Sequence, residues 1–136
     1  ATVEVDCRVL PGTTEDDMHE IVEGRLGDLA GHIDVELVIH APAVDAPVDH
    51  PLYALLERTI VDHDPAGIPV PFMVPFATDA KHTATLGIPT YGFAPLQLDP
   101  AEQFLDRFHG VDERVGIDAL RWGLPVLYDV VRRYCG

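Results

Sequence analysis

A chain of 136 residues and 14.9 kDa suffices for about one domain and is short for two of ordinary size. Nine basic residues against 23 acidic ones leave a net charge of −14, and the only lysine is Lys81. Most of such a surface repels a phosphate backbone or an anionic lipid face, so nucleic acid and membrane are excluded as partners. With 47% hydrophobic residues the composition is that of a chain able to build a core. No apolar run approaches the roughly 18 residues of a transmembrane span, and no basic-then-apolar leader opens the chain, so the expected location is cytoplasmic. Cys7 and Cys135 lack metal-type spacing and are too few for a disulfide framework. Because the first residue, Ala1, already lies in a strand-like pattern, a piece of a longer protein is expected.

In residues 2–10, Val3, Val5, Cys7 and Val9 alternate with Glu4, Asp6 and Arg8, the period of a half-buried strand. Pro11-Gly12 breaks it. Thr14 with Asp17 three positions later forms a capping signal, after which Met18, Ile21, Val22, Leu26 and Leu29 recur at helical spacing. A second alternation follows, with Ile33, Val35, Leu37 and Ile39 set against Asp34, Glu36 and His40. Strand, helix and strand make a β-α-β unit with a right-handed crossover, and two strands are too little sheet to stand alone. The fold class expected is therefore α/β, with further sheet supplied from elsewhere.

Residues 42–50 form an aperiodic, proline-bearing linker between the first structural region, 1–41, and the second, 51–136. Pro51 suits a first helical turn, and Leu52, Leu55, Leu56 and Ile60 stripe a helix that stops before Asp64-Pro65. Pro69, Pro71 and Pro75 confine any strand in that stretch to a short or edge position. Asp99-Pro100 is expected to open a helix in which Ala101, Phe104, Leu105 and Phe108 share a face. The last helix spans about Val115 to Tyr134, with a kink expected where Gly123 and Pro125 interrupt it.

Two places could carry chemistry. Thr78-Asp79-Ala80-Lys81 reads either as an ordinary helix cap or as a seat for a substrate carboxylate, with Lys81 as the cation. His109, followed by Gly110 and then by Asp112 and Glu113, reads either as a loop histidine or as one metal ligand, because a single imidazole cannot satisfy a metal that takes three or four protein ligands. Covalent catalysis finds no support: the chain contains no serine, and neither cysteine adjoins an obvious base.

Taken in order, Val5-Asp6-Cys7-Arg8-Val9-Leu10-Pro11-Gly12-Thr13, Thr78-Asp79-Ala80-Lys81, Gly87-Ile88-Pro89-Thr90-Tyr91-Gly92-Phe93-Ala94-Pro95 and His109-Gly110-Val111-Asp112-Glu113-Arg114-Val115 resemble the C-terminal third of a zinc metallopeptidase family. That family includes aminoacylase, acetylornithine deacetylase, succinyl-diaminopimelate desuccinylase, carboxypeptidase G and carnosinase-type dipeptidases. The resemblance implies that residues 1–41 are the second half of a ferredoxin-like lid through which subunits dimerise. It makes residues 51–136 the C-terminal portion of a catalytic domain holding two zinc ions. It implies that His109 is the last zinc ligand, that Glu113 supports its loop, and that Thr78, Asp79 and Lys81 meet a substrate carrying a free carboxylate.

Lys81 stands where that family usually has Arg, which exchanges a two-pronged donor for a point charge. The remaining zinc ligands and the general-base Glu of the family precede Ala1, so no catalytic residue is assigned here. The expected activity is hydrolysis of amide or peptide bonds of N-acyl amino acids or small peptides by the longer protein. The 136 residues alone are expected to be inactive and to bind at most one zinc weakly. The alternative is a non-catalytic binding or dimerisation module.

Overall fold

The computed structural model describes residues 1–136. Four α-helices form: α1 (Glu15–Leu26), α2 (Pro51–His63), α3 (Ala80–Ala84) and α4 (Ile117–Cys135). Short 3-10 segments occupy Gly27–His32, Pro100–Glu102 and Phe104–Arg107. Two compact units result, one of residues 1–46 and 73–90 and the other of residues 47–72 and 91–136.

In the first unit, α1 starts as its sequence dictates. The Thr14 hydroxyl accepts the Asp17 N–H, while the Asp17 carboxylate accepts from the Thr14 N–H at 2.8 Å, so two otherwise unpaired donors are satisfied reciprocally. The Thr14 hydroxyl, which donates to the same carboxylate at 2.7 Å, and after it the Thr14 N–H hold the Asp17 carboxyl below its ordinary value. The helix ends at Gly27, whose φ of 54° is a conformation glycine adopts without a Cβ penalty, and a 3-10 turn replaces the expected helical continuation to Leu29.

Segments 2–10 and 33–40 form no ladder, and no strand is present in the chain, including the proline-rich run 69–76. Most of their apolar side chains are exposed; Val3, Val5, Ile33 and Ile39 are examples. A strand gains stability from cross-strand pairs and from a covered face, and the one β-α-β unit read from the sequence supplies too few of both. Helices without strands neither meet nor refute the α/β reading.

The core of the second unit lies between α2 and α4. His50 caps α2: its Nδ1 accepts the Leu52 N–H at 3.2 Å, and Pro51 occupies the first helical position, where no N–H is needed. Leu55, Leu56 and Thr59 face Ala119, Gly123, Val126 and Val130, with Val126 and Thr59 fully enclosed. Small residues on α4 let the backbones approach. At Gly123 a Cβ would fall within the van der Waals shell of the Pro95 carbonyl oxygen and 3.1 Å from its carbon. The Thr59 hydroxyl has no hydrogen-bond partner, an unusual cost inside an otherwise apolar layer.

The region 99–108 departs from its expected single helix. Asp99 caps the Ala101 N–H at 2.9 Å, but Gln103 takes φ 46°, ψ 49°, which splits the segment into two 3-10 turns. Phe104 and Phe108 meet edge to face at 4.8 Å across the second of these turns.

Candidate functional site

The two sets of residues singled out from the sequence fall in different units: Thr78, Asp79 and Lys81 in the first, His109 and Glu113 in the second. At the first, the Thr78 hydroxyl accepts the Ala80 N–H at 3.2 Å, and the Asp79 carbonyl accepts from His82 and Thr83. Thr78 is thus a cap, as the plainer reading of its sequence has it. Asp79 makes no side-chain capping bond and is exposed. Half-buried Lys81 has no carboxylate within 4.0 Å, whereas six of the eight arginines are ion-paired. An unpaired ammonium on the turn that Thr78 caps can take a carboxylate from outside the chain. The turn that carries it is tied back by the Thr83 and Thr90 hydroxyls, 2.5 Å apart.

At the second, His109 sits between the 3-10 turn 104–107 and the N-terminus of α4, with φ 56°. Asp112, three residues on, has φ 61°. Non-glycine residues in this left-handed region are uncommon, and His and Asp are among those that tolerate it best. Gly110 closes the turn by donating to the Arg107 carbonyl at 3.0 Å. The His109 ring is exposed and makes no hydrogen bond or ion pair within the chain, which leaves both nitrogens available. Glu113 is likewise exposed and makes no polar contact. The carboxylate that ties this loop is Glu102, which sequence reasoning did not single out: it accepts from Arg114 at 3.2 Å and lies 3.8 Å from Arg107, bracing both sides of the turn.

As a metal seat, the loop offers one free imidazole. No group of three or more His, Cys, Asp or Glu side chains lies together in the chain. A zinc held here takes its other ligands from outside residues 1–136. The donor chemistry fits one position of a shared site and no more.

A further polar cluster was not anticipated. His63, at the end of α2, lies 3.3 Å from Asp129 Oδ2 on α4; that oxygen also accepts from Arg133 at 2.6 Å, while Asp129 Oδ1 accepts from Arg132 at 2.8 Å. Arg133 continues to Asp62 at 2.5 Å. Only the spacing of Asp129 to Arg132 and Arg133, one helical turn, was visible locally; the partners on α2 are 66 and 71 positions away.

The Asp129 side chain is 14% exposed, and Arg132, opposed by burial and aided by His63 and Arg133, holds its carboxyl below the usual range. A depressed folded-state value contributes stability that is complete above the unfolded value, about 3.9, and is lost as pH falls through the folded one. The melting temperature of Asp129→Asn is therefore expected to lie below that of the parent at neutral pH. The gap should narrow only as the pH drops below about 4, where the carboxylate of the unfolded chain begins to take up a proton that the folded one still refuses. A gap unchanged down to the parent's acid unfolding would assign the loss to packing instead.

No helix is long and apolar enough to cross a membrane. No family model matches the chain, and no solved structure matches it. Curated proteins do. The chain is 26% identical, over 97% of its length, to "Probable carboxypeptidase S-like 2" of Dictyostelium discoideum, covering 25% of that protein. It is 33% identical over 88% of its length to "N-fatty-acyl-amino acid synthase/hydrolase PM20D1" of Xenopus tropicalis, covering 23% of it. Against the protein of the same name from Mus musculus it is 27% identical over 97% of its length, covering 26%. The chain spans about a quarter of the length of the curated relatives it matches. It is therefore similar, at low identity, to part of peptidase-like and N-acyl-amino-acid hydrolase proteins.

Proposed function

We propose that residues 1–136 are part of a zinc-dependent hydrolase that cleaves the amide or peptide bond of N-acyl amino acids or small peptides. The observation that carries this reading is the match of nearly the whole chain to three proteins whose names specify carboxypeptidase-like or N-fatty-acyl-amino-acid hydrolase function. The free His109 imidazole, in a turn fixed by Glu102, supports it.

In this reading His109 supplies one ligand to a zinc, and Glu113 supports the loop. Bound zinc supplies Lewis-acid polarisation of the scissile carbonyl and lowers the pKa of coordinated water; the family it resembles uses two ions. This chain's own contribution is positional. Lys81 attracts the free carboxylate of the substrate, and the Thr78 cap holds the turn that presents it, with Asp79 at the rim. A lysine fixes charge without the fork geometry of arginine, so the carboxylate is held by attraction more than by angle. The fold proposed for the longer protein is α/β, with residues 1–41 as half of a dimerising lid, 42–50 as linker and 51–136 as the end of the catalytic domain, in a cytoplasmic homodimer.

Dialysis of the longer protein against a strong chelator is expected to abolish hydrolysis of an N-acyl amino acid, and added zinc to restore it. Activity that survives a verified loss of metal would overturn the proposal in favour of another chemistry. A protein that neither binds zinc nor hydrolyses would be left with the binding or dimerisation role.

A further inference from the structure

In the segment 87–95 one side chain reaches far back along the chain. The Tyr91 hydroxyl donates to the Pro47 carbonyl at 2.6 Å, across 44 positions. No backbone N–H reaches that carbonyl, so the turn at 48–50 is not closed by a bond of its own. Tyr91 supplies the donor instead. Its ring lies against two others at the start of α2, 6.1 Å from that of His50 and tilted by 38°, and 5.8 Å from that of Tyr53 and tilted by 47°. Both separations are those of favourable ring pairs. His50 is itself the cap of α2, with its Nδ1 taken by the Leu52 N–H. One phenol therefore holds the carbonyl before the turn and packs on the cap that ends it.

The phenol is suited to permanent donation. Partial burial first, then Asp49 and Tyr134, hold its titration above the ordinary value, so the O–H stays intact at neutral pH. The two ends of the bond are also where the chain enters the second unit. That unit is made of residues 47–72 and 91–136, so of the passages at 46–47, 72–73 and 90–91, the first and last arrive at the bonded pair. Residues 41–46, by contrast, make no hydrogen bond.

We infer that Tyr91 is a positioning residue that makes one joint of two chain entries: it fastens residues 47–50 to the second unit, and the linker bends upstream of Pro47, within 41–46. Neither zinc nor hydrolysis enters the geometry that carries this.

Hydrogen exchange of the full-length protein, resolved to single amides by mass spectrometry with fragmentation, compares the parent with Tyr91→Phe, which keeps the ring and removes the hydroxyl. The Leu52 and Ala54 N–H groups bond to the His50 Nδ1 and carbonyl. They are expected to exchange about two- to tenfold faster in the variant, the change that the net worth of one hydrogen bond gives. The Asp64 N–H, bonded to the Ile60 carbonyl at the other end of α2, is expected to keep its rate. Unchanged rates at Leu52 and Ala54 would overturn the inference. Equal acceleration at Asp64 would overturn it too, since Tyr91 would then support the core as a whole. A second measurement is limited digestion with an endoprotease that cuts before aspartate, because Asp45 and Asp49 are both exposed and flank Pro47. The Val44–Asp45 bond is expected to be cut faster than Val48–Asp49 in the parent, by a ratio that falls about two- to tenfold in Tyr91→Phe. Equal cutting of the two bonds in the parent would place the bend downstream of Pro47 and refute the joint. Both readouts are independent of metal and substrate, so their outcome is separate from that of the chelation experiment.

Discussion

Gly123→Ala is expected to destabilise the protein by about 1–3 kcal/mol or more, the cost of forcing extra volume into a packed layer. The added Cβ meets the Pro95 carbonyl, a backbone group, and 3.6 Å away the Leu96 side chain; the first cannot rotate aside. Relief requires α4 to move away from the 95–96 backbone. Val126 and Thr59 are the fully enclosed side chains of this unit, so displacing α4 disturbs the α2–α4 contact on which its core rests. Chemical denaturation of the full-length protein measures the effect, with Gly92→Ala as control, since a Cβ there meets nothing within 4 Å. Equal midpoints for the two variants would show that the close approach of α4 to Pro95 does not persist in solution.

If the proposed function holds, His109→Ala is expected to lower both the zinc content and the hydrolytic activity of the longer protein, the activity by at least ~100-fold. Loss of an outer-shell partner alone costs 10–100-fold in metal affinity or activity, and loss of a ligand sets a higher floor. The substitution should fold, because the ring makes no contact that holds the loop; Glu102 and the Gly110 turn do that. Metal analysis beside a thermal melt separates the two effects. An unchanged zinc count with lost activity would move His109 from the metal to the substrate.

How much of this was legible in the sequence depended on how local the physics is. The Thr14–Asp17 capping box, the Pro51 start of α2 and its stop before Asp64 need only neighbours, and each is where its residues place it. α4 also falls close to its expected span. Segments 2–10 and 33–40 could not be judged by pattern alone, since alternation shows which face a strand would cover but not whether a neighbour is there to pair with it. Gln103 broke the helix expected over 99–108 although glutamine is a good helix former, which no propensity argument predicts. The His63–Asp129–Arg133–Asp62 cluster was illegible because its members meet only after α2 and α4 pack. At the site, residue types suggested roles, yet the carboxylate holding the His109 turn came from outside the motif.

That last feature matters for anyone who would transplant the motif. One acid, Glu102, clasps guanidinium groups from either flank of the bend, five and twelve positions downstream of it. A graft of residues 108–115 onto another scaffold would carry the imidazole and leave its clasp behind, so the unit to move begins at the Asp99-Pro100 turn.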